Sequence, residues 1–138
     1  MKTVQELYNE LAYYTLSLGD EEFIHQHIVD AFGAQNAGEK TKPIGICFAL
    51  AGLYLYLEKD YTGRQVQLAH MQMAKKRKKW PALELPENRG DITIADVLDA
   101  EPGEERREMI RKWCDSVWKA YSQSHDIVAA LVNVVLYG

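Results

Sequence analysis

From Ile44 to Leu57 the chain carries no charged residue, and its apolar side chains fall on every side of a helix drawn at about 100° per residue. A helix that is apolar all round needs neighbours all round. The run is shorter than the ~20 residues that cross a bilayer, so other helices of the same chain are expected to cover it. Pro43 opens the segment in a first turn, where its missing N–H does no harm. Gly45, Ala49 and Gly52 share one side of it. Small residues there let a second helix come close, at some cost in helix propensity.

The flanking sequence supplies those helices. Thr3 and Glu6 form a T-x-x-E capping box ahead of Val4, Leu7, Leu11, Tyr14 and Leu18 at helical spacing. Gly19-Asp20 breaks that run. A second helix is expected from about Asp20 to Asn36, with Glu21 and Glu22 at the positive end of its dipole. Thr62 and Gln65 make another capping box, opening a helix expected to reach Lys79 or Trp80 before Pro81 stops it. Pro81 to Asp91 reads as an ordered loop, followed by a short helix from about Thr93 to Leu98. A helix from Glu104 carries a wide apolar face of Met109, Ile110, Trp113, Cys114, Val117, Trp118 and Tyr121, read as core. The last segment, after Ser122-Gln123-Ser124, reads as helix to Tyr137. Its Val-Val-Leu-Tyr end suits a strand by propensity, but no partner strand is evident. The expectation is an all-α, single-domain bundle of five or six helices around a central apolar helix.

Composition narrows the class of function. Of 138 residues, 47% are hydrophobic and 26% charged, which suits a globular core that holds without staples. The formal net charge of −4 lacks the basic surplus of a nucleic-acid binder, so no nucleic-acid partner is expected. The basic run Lys75 to Lys79 reads as cations at a helix C-terminus. Cys47 and Cys114 lie among apolar residues and read as reduced, buried thiols. No apolar run follows a basic start, and no segment is long enough to span a membrane. A cytoplasmic protein is the expectation.

The residues able to carry chemistry are few. His27 falls inside the apolar face of its helix, with Asp30 one turn later at the edge of that face, Gln35 also inside it and His25 at the opposite edge. His70 faces inward on the Thr62 helix, and His125 opens the last helix. Imidazoles and carboxylates on facing helices are how bundles hold divalent metals, which makes His27, Asp30, His70 and His125 a candidate metal set. Glu22 and His25 have the Glu-x-x-His spacing of di-iron bundles, in one copy where two are needed. The alternatives are ordinary hydrogen bonds to buried polar groups and a metal-free acid–base or small-ligand pocket. Phosphate-loop, H-E-x-x-H, paired C-x-x-C and G-x-S-x-G signatures are absent.

The segment His25-Gln26-His27-Ile28-Val29-Asp30-Ala31-Phe32-Gly33-Ala34-Gln35 resembles the H-x3-V-D-x4-Q stretch of a family of small, uncharacterised bacterial helical proteins, a domain of unknown function. Leu53-Tyr54-Leu55-Tyr56-Leu57-Glu58 is similar to that family's apolar helix, and Ser116-Val117-Trp118-Lys119-Ala120-Tyr121 to its C-terminal tryptophan segment. The chain departs from the pattern in lacking a leading cysteine pair and in placing Asn36 after Gln35. The resemblance implies a helical fold and points to His25, Asp30 and Gln35 as ligand-binding residues. It implies no activity.

Two functional expectations follow. One is a metal- or small-ligand-binding protein, an enzyme in its sharpest form, with its site between the second and fourth helices. The other is a non-catalytic interaction module or homodimer, motivated by the apolar surplus of the central helix and of the two helices after Glu104.

Overall fold

The computed structural model describes residues 1–138. It contains seven α-helices and no strand: α1 (Val4–Ser17), α2 (His25–Gln35), α3 (Pro43–Lys59), α4 (Gly63–Lys76), α5 (Ile94–Asp99), α6 (Glu104–Ala120) and α7 (His125–Tyr137). A 3-10 turn over Ser122–Ser124 joins the last two. The all-helical expectation holds. The count exceeds the expected five or six because it includes α5, the short helix expected after Thr93, which forms behind that N-cap.

Both expected capping boxes are formed. Thr3 Oγ1 accepts from the Glu6 amide at 3.1 Å while Glu6 accepts from the Thr3 amide. Thr62 and Gln65 repeat the exchange at 3.2 and 2.8 Å. These bonds satisfy first-turn amides that have no partner inside the helix. On α3, every residue from Ala49 to Tyr56 is buried. The helix packs against α2, α4, α6 and α7. Trp113, Trp118 and Tyr121 are buried as expected, and one hydrophobic core of 30 residues takes side chains from every helix.

Two helix ends differ from expectation. α2 begins at His25, not Asp20. Asp20 instead accepts the Ile24 amide at 2.9 Å, and Phe23 takes a left-handed φ of 57°. The cause is tertiary. The Phe23 carbonyl packs directly on Gly63, where any Cβ would overlap it. The Arg64 amide donates to the Glu22 carbonyl at 3.0 Å, and the Arg64 guanidinium lies over the Phe23 ring. α4 ends at Lys76, short of Lys79, and Arg77 is extended. There Trp80 and Phe48 meet edge to face, and the Arg77 guanidinium lies over the Trp80 ring. Lys76 and Lys78 donate to the Val135 and Ala74 carbonyls, near the carboxyl ends of α7 and α4.

The Pro81–Asp91 loop is tied down by side chains. Arg89 donates to the carbonyls of Pro86, Gln35 and Ala37. The Ser116 hydroxyl accepts the Asp91 amide at 3.0 Å.

Candidate functional site

α2 and α3 run antiparallel along a seam of small residues. His27 stacks on Tyr56, Asp30 lies against Gly52, and Gly33 faces Ala49. The numbers rise on α2 as they fall on α3. A Cβ on Gly52 would overlap the Asp30 carboxyl, so the missing side chain is what lets that carboxyl enter. Asp30 is 3% exposed. Gln26 donates to its Oδ1 at 3.2 Å, whereas Oδ2 has no partner. Burial holds this carboxyl well above the usual carboxylate range, offset only in part by the Gln26 bond. Burial therefore favours the protonated form of Asp30.

One helical turn before Asp30, His27 is 4% exposed, and its Nδ1 has no partner. Its ring lies 3.5 Å from that of Tyr56 and nearly parallel to it. Burial pushes its pKa down to about 3, helped by the cations Arg111 and Arg107 and opposed by Asp20. The ring is neutral at physiological pH, with one nitrogen able to accept a hydrogen bond and the other able to donate.

His27 and Tyr56 lie in a cleft of about 430 Å³. Glu22 and Ile24 from the turn before α2, and Asp60, Tyr61 and Thr62 from the α3–α4 connection, form one side of it. Arg107, Glu108 and Arg111 of α6 form the other. Arg111 sits over Tyr56, with its guanidinium carbon 4.9 Å from the ring centre, so guanidinium, phenol and imidazole are layered. The chain has two non-glycine residues in the left-handed region, Phe23 and Asp60. Asp60 lines this cleft, and Phe23 lies between two residues that do. Asp60 takes this conformation as the left-handed cap that ends α3, its amide donating to the Leu55 carbonyl.

The other expected residues are placed elsewhere. His25 Nδ1 meets the Thr15 hydroxyl at 2.8 Å. That hydroxyl already donates to the Ala12 carbonyl, so His25 is the donor. His70 Nε2 bonds the Phe48 carbonyl at 2.8 Å, and His125 Nε2 bonds the Trp118 carbonyl at 2.7 Å while stacking on that indole. A carbonyl only accepts, so both Nε2 atoms carry hydrogen and are not metal donors in this arrangement. His27 meets α3 at Tyr56 and His70 meets it at Phe48. Those positions are eight residues apart, roughly 12 Å along a helix. His27, Asp30, His70 and His125 are thus not brought together, and no group of three His, Cys, Asp or Glu side chains converges on an ion position.

Gln35 is a structural hub. Its Nε2 donates to the Ile92 carbonyl at 2.8 Å and more weakly to that of Arg89, while Oε1 accepts the Trp113 indole at 2.9 Å. Cys47 and Cys114 are free and buried, as expected. Burial raises both thiols, Cys47 to about 11, which leaves them poor nucleophiles.

Sequence reasoning marked His27 and Asp30 but missed Arg107, Arg111, Asp60 and the cleft role of Tyr56. Arg107 and Arg111 are four apart and share one helix face. On an exposed face that spacing is indistinguishable from solvated charge.

The sequence model of a family described as a family of unknown function (DUF5946) matches residues 3–122. No curated protein and no solved structure matches the chain in the same comparisons. No helix is long and apolar enough to cross a membrane. The chain belongs to the DUF5946 family.

Proposed function

We propose that this member of a family of unknown function is a small-ligand-binding protein whose ligand enters the cleft between α2, α3 and α6. One observation carries the reading. His27 lines the cleft, is almost wholly buried, and has an Nδ1 without a partner. Buried polar groups are nearly always satisfied, and since Nδ1 is closed to the cleft in this arrangement, a small turn of the ring on ligand binding supplies the missing bond. The layered Arg111, Tyr56 and His27 give the cleft a fixed wall, and preorganised polar contacts of this kind define small-molecule sites. Behind them, Asp30 adds a buried carboxyl on the same helix face.

The test is a fragment screen followed by amide shift mapping on the labelled full chain. Binders are expected to perturb residues 22–27, 56–62 and 107–111, and to lose affinity in His27→Ala. Hits that map elsewhere, or a screen with none, would overturn the proposal.

A second reading, a homodimer or interaction module, draws on a different face. Leu68 and Met71 of α4 and Val134 and Tyr137 of α7 are each more than half exposed. All but Val134 line a groove of about 540 Å³. Sedimentation at micromolar concentration decides this reading, and a monomer counts against the homodimer.

A further inference from the structure

The cleft holds unpaired charges of both signs. Five ionised side chains line it: Glu22, Asp60, Glu108, Arg107 and Arg111. Glu22 and Arg107 form a loose pair at 3.6 Å. Asp60, Glu108 and Arg111 belong to none of the chain's ion pairs. Glu108 and Arg111 are three residues apart on α6, where side chains stand about 5–6 Å apart at Cβ, yet they do not pair with each other. Arg111 instead has its guanidinium over Tyr56. The neutral His27, with its unpartnered nitrogen, lies in the same cleft.

This pattern of charge selects a ligand class. A guanidinium presents a planar fork that matches a carboxylate bidentately. Asp60 and Glu108 offer acceptors to an ammonium. A phosphate ester or dicarboxylate would add negative charge where carboxylates already outnumber guanidiniums by three to two. A simple amine would leave Arg111 without a counter-charge. A molecule carrying one carboxylate and one ammonium on a short carbon frame matches both signs and adds no net charge.

We propose that the cleft binds a small zwitterion of the α-amino-acid class, its carboxylate on Arg111 and its ammonium between Asp60 and Glu108. This proposal rests on the cleft being the ligand site and assigns that site its chemistry.

The experiment is isothermal titration of the full chain with the common L-α-amino acids, and with the N-acetyl and methyl-ester derivatives of each one that binds. Acetate, inorganic phosphate and ethylamine complete the set. At least one zwitterion is expected to bind, with each derivative weaker by about tenfold or more. Arg111→Gln is expected to weaken the zwitterion by a similar factor while leaving its already weak ester nearly unchanged. Glu108→Gln is expected to weaken the zwitterion but not its N-acetyl derivative. Both side chains are exposed, so these variants retain the fold. Derivatives that bind as well as the parent, or binding of acetate, phosphate or ethylamine without any zwitterion, would overturn the ligand class and leave the cleft standing. Silence from every compound overturns the ligand class, and a fragment screen that is silent too removes the site reading itself.

Discussion

The Asp30 carboxyl occupies the volume that a side chain on Gly52 would need. The contact joins α2 to α3 one turn from the His27–Tyr56 stack, so it sets how close the two helices lie beside the cleft. Gly52→Ala is expected to force them apart and to destabilise the chain by about 1–3 kcal/mol, the usual cost of overpacking. In the background of Asp30→Ala the same change should cost much less. Urea unfolding of the two single variants and the double variant measures that coupling. Strict additivity would show that the two side chains do not compete for space.

The raised pKa of Asp30 makes stability depend on pH. In the unfolded chain this carboxyl ionises near the ordinary value of 3.8, whereas burial raises it well above that in the fold. The unfolded state therefore binds fewer protons between those two values, and stability falls as pH rises through that window. Asp30→Asn keeps an uncharged group of the same size and removes the dependence. It is expected to melt at a higher temperature than the native chain at pH 8, with the difference shrinking toward pH 4. A constant difference across that range would mean that Asp30 is ionised in the fold.

His27 acts at the acid end. Its pKa lies near 3 in the fold against 6.5 for a free histidine. Above pH 6.5 both states are neutral there and the contribution is complete. Below it the unfolded chain takes up a proton that the fold refuses, so stability declines as pH falls toward 3. Lowered values at His25 and His70 add to the slope. His27→Phe keeps a ring against Tyr56 and should lose about one proton's share of that slope. Denaturant midpoints at pH 7 and pH 4.5 test this, and an unchanged slope would place His27 in contact with solvent.

Gln35 serves architecture, so its loss should register in stability ahead of binding. Gln35→Leu strands the Trp113 indole N–H and the Ile92 carbonyl, at about 1–3 kcal/mol for buried groups left without partners. Trypsin should then cut faster at Arg89 in the loop that Gln35 and Arg89 hold. Loss of ligand affinity at full stability would instead return Gln35 to the binding site.

Local rules made much of the fold legible. The Thr3–Glu6 and Thr62–Gln65 boxes are exchanges across three residues, and both formed as written in the sequence. The apolar circumference of α3 foretold its burial, and its small residues foretold a close neighbour. The start of α2 was hidden, because Phe23 owes its conformation to Gly63 and Arg64, forty residues away in the chain. The metal set had a related weakness. Helical spacing gives the direction in which His27 and His70 point but not their height along α3, and they meet it two turns apart. The cleft was half legible. His27 and Asp30 stood out as polar residues on an apolar stripe, while Arg107 and Arg111 resembled any solvated helix face until Tyr56 was placed beneath Arg111.

The α2–α3 seam also shapes how such a chain can change over time. Positions 27, 30, 52 and 56 belong at once to the packing of two helices and to the wall and backing of the cleft. A change at one of them is read twice, by folding and by recognition, and its tolerance depends on its neighbours across the seam. New ligand preferences are therefore more accessible from the α6 side, where Arg107, Glu108 and Arg111 are exposed and can be exchanged singly. Divergence among relatives should accordingly appear as drift along one helix face against paired, correlated replacements along the seam.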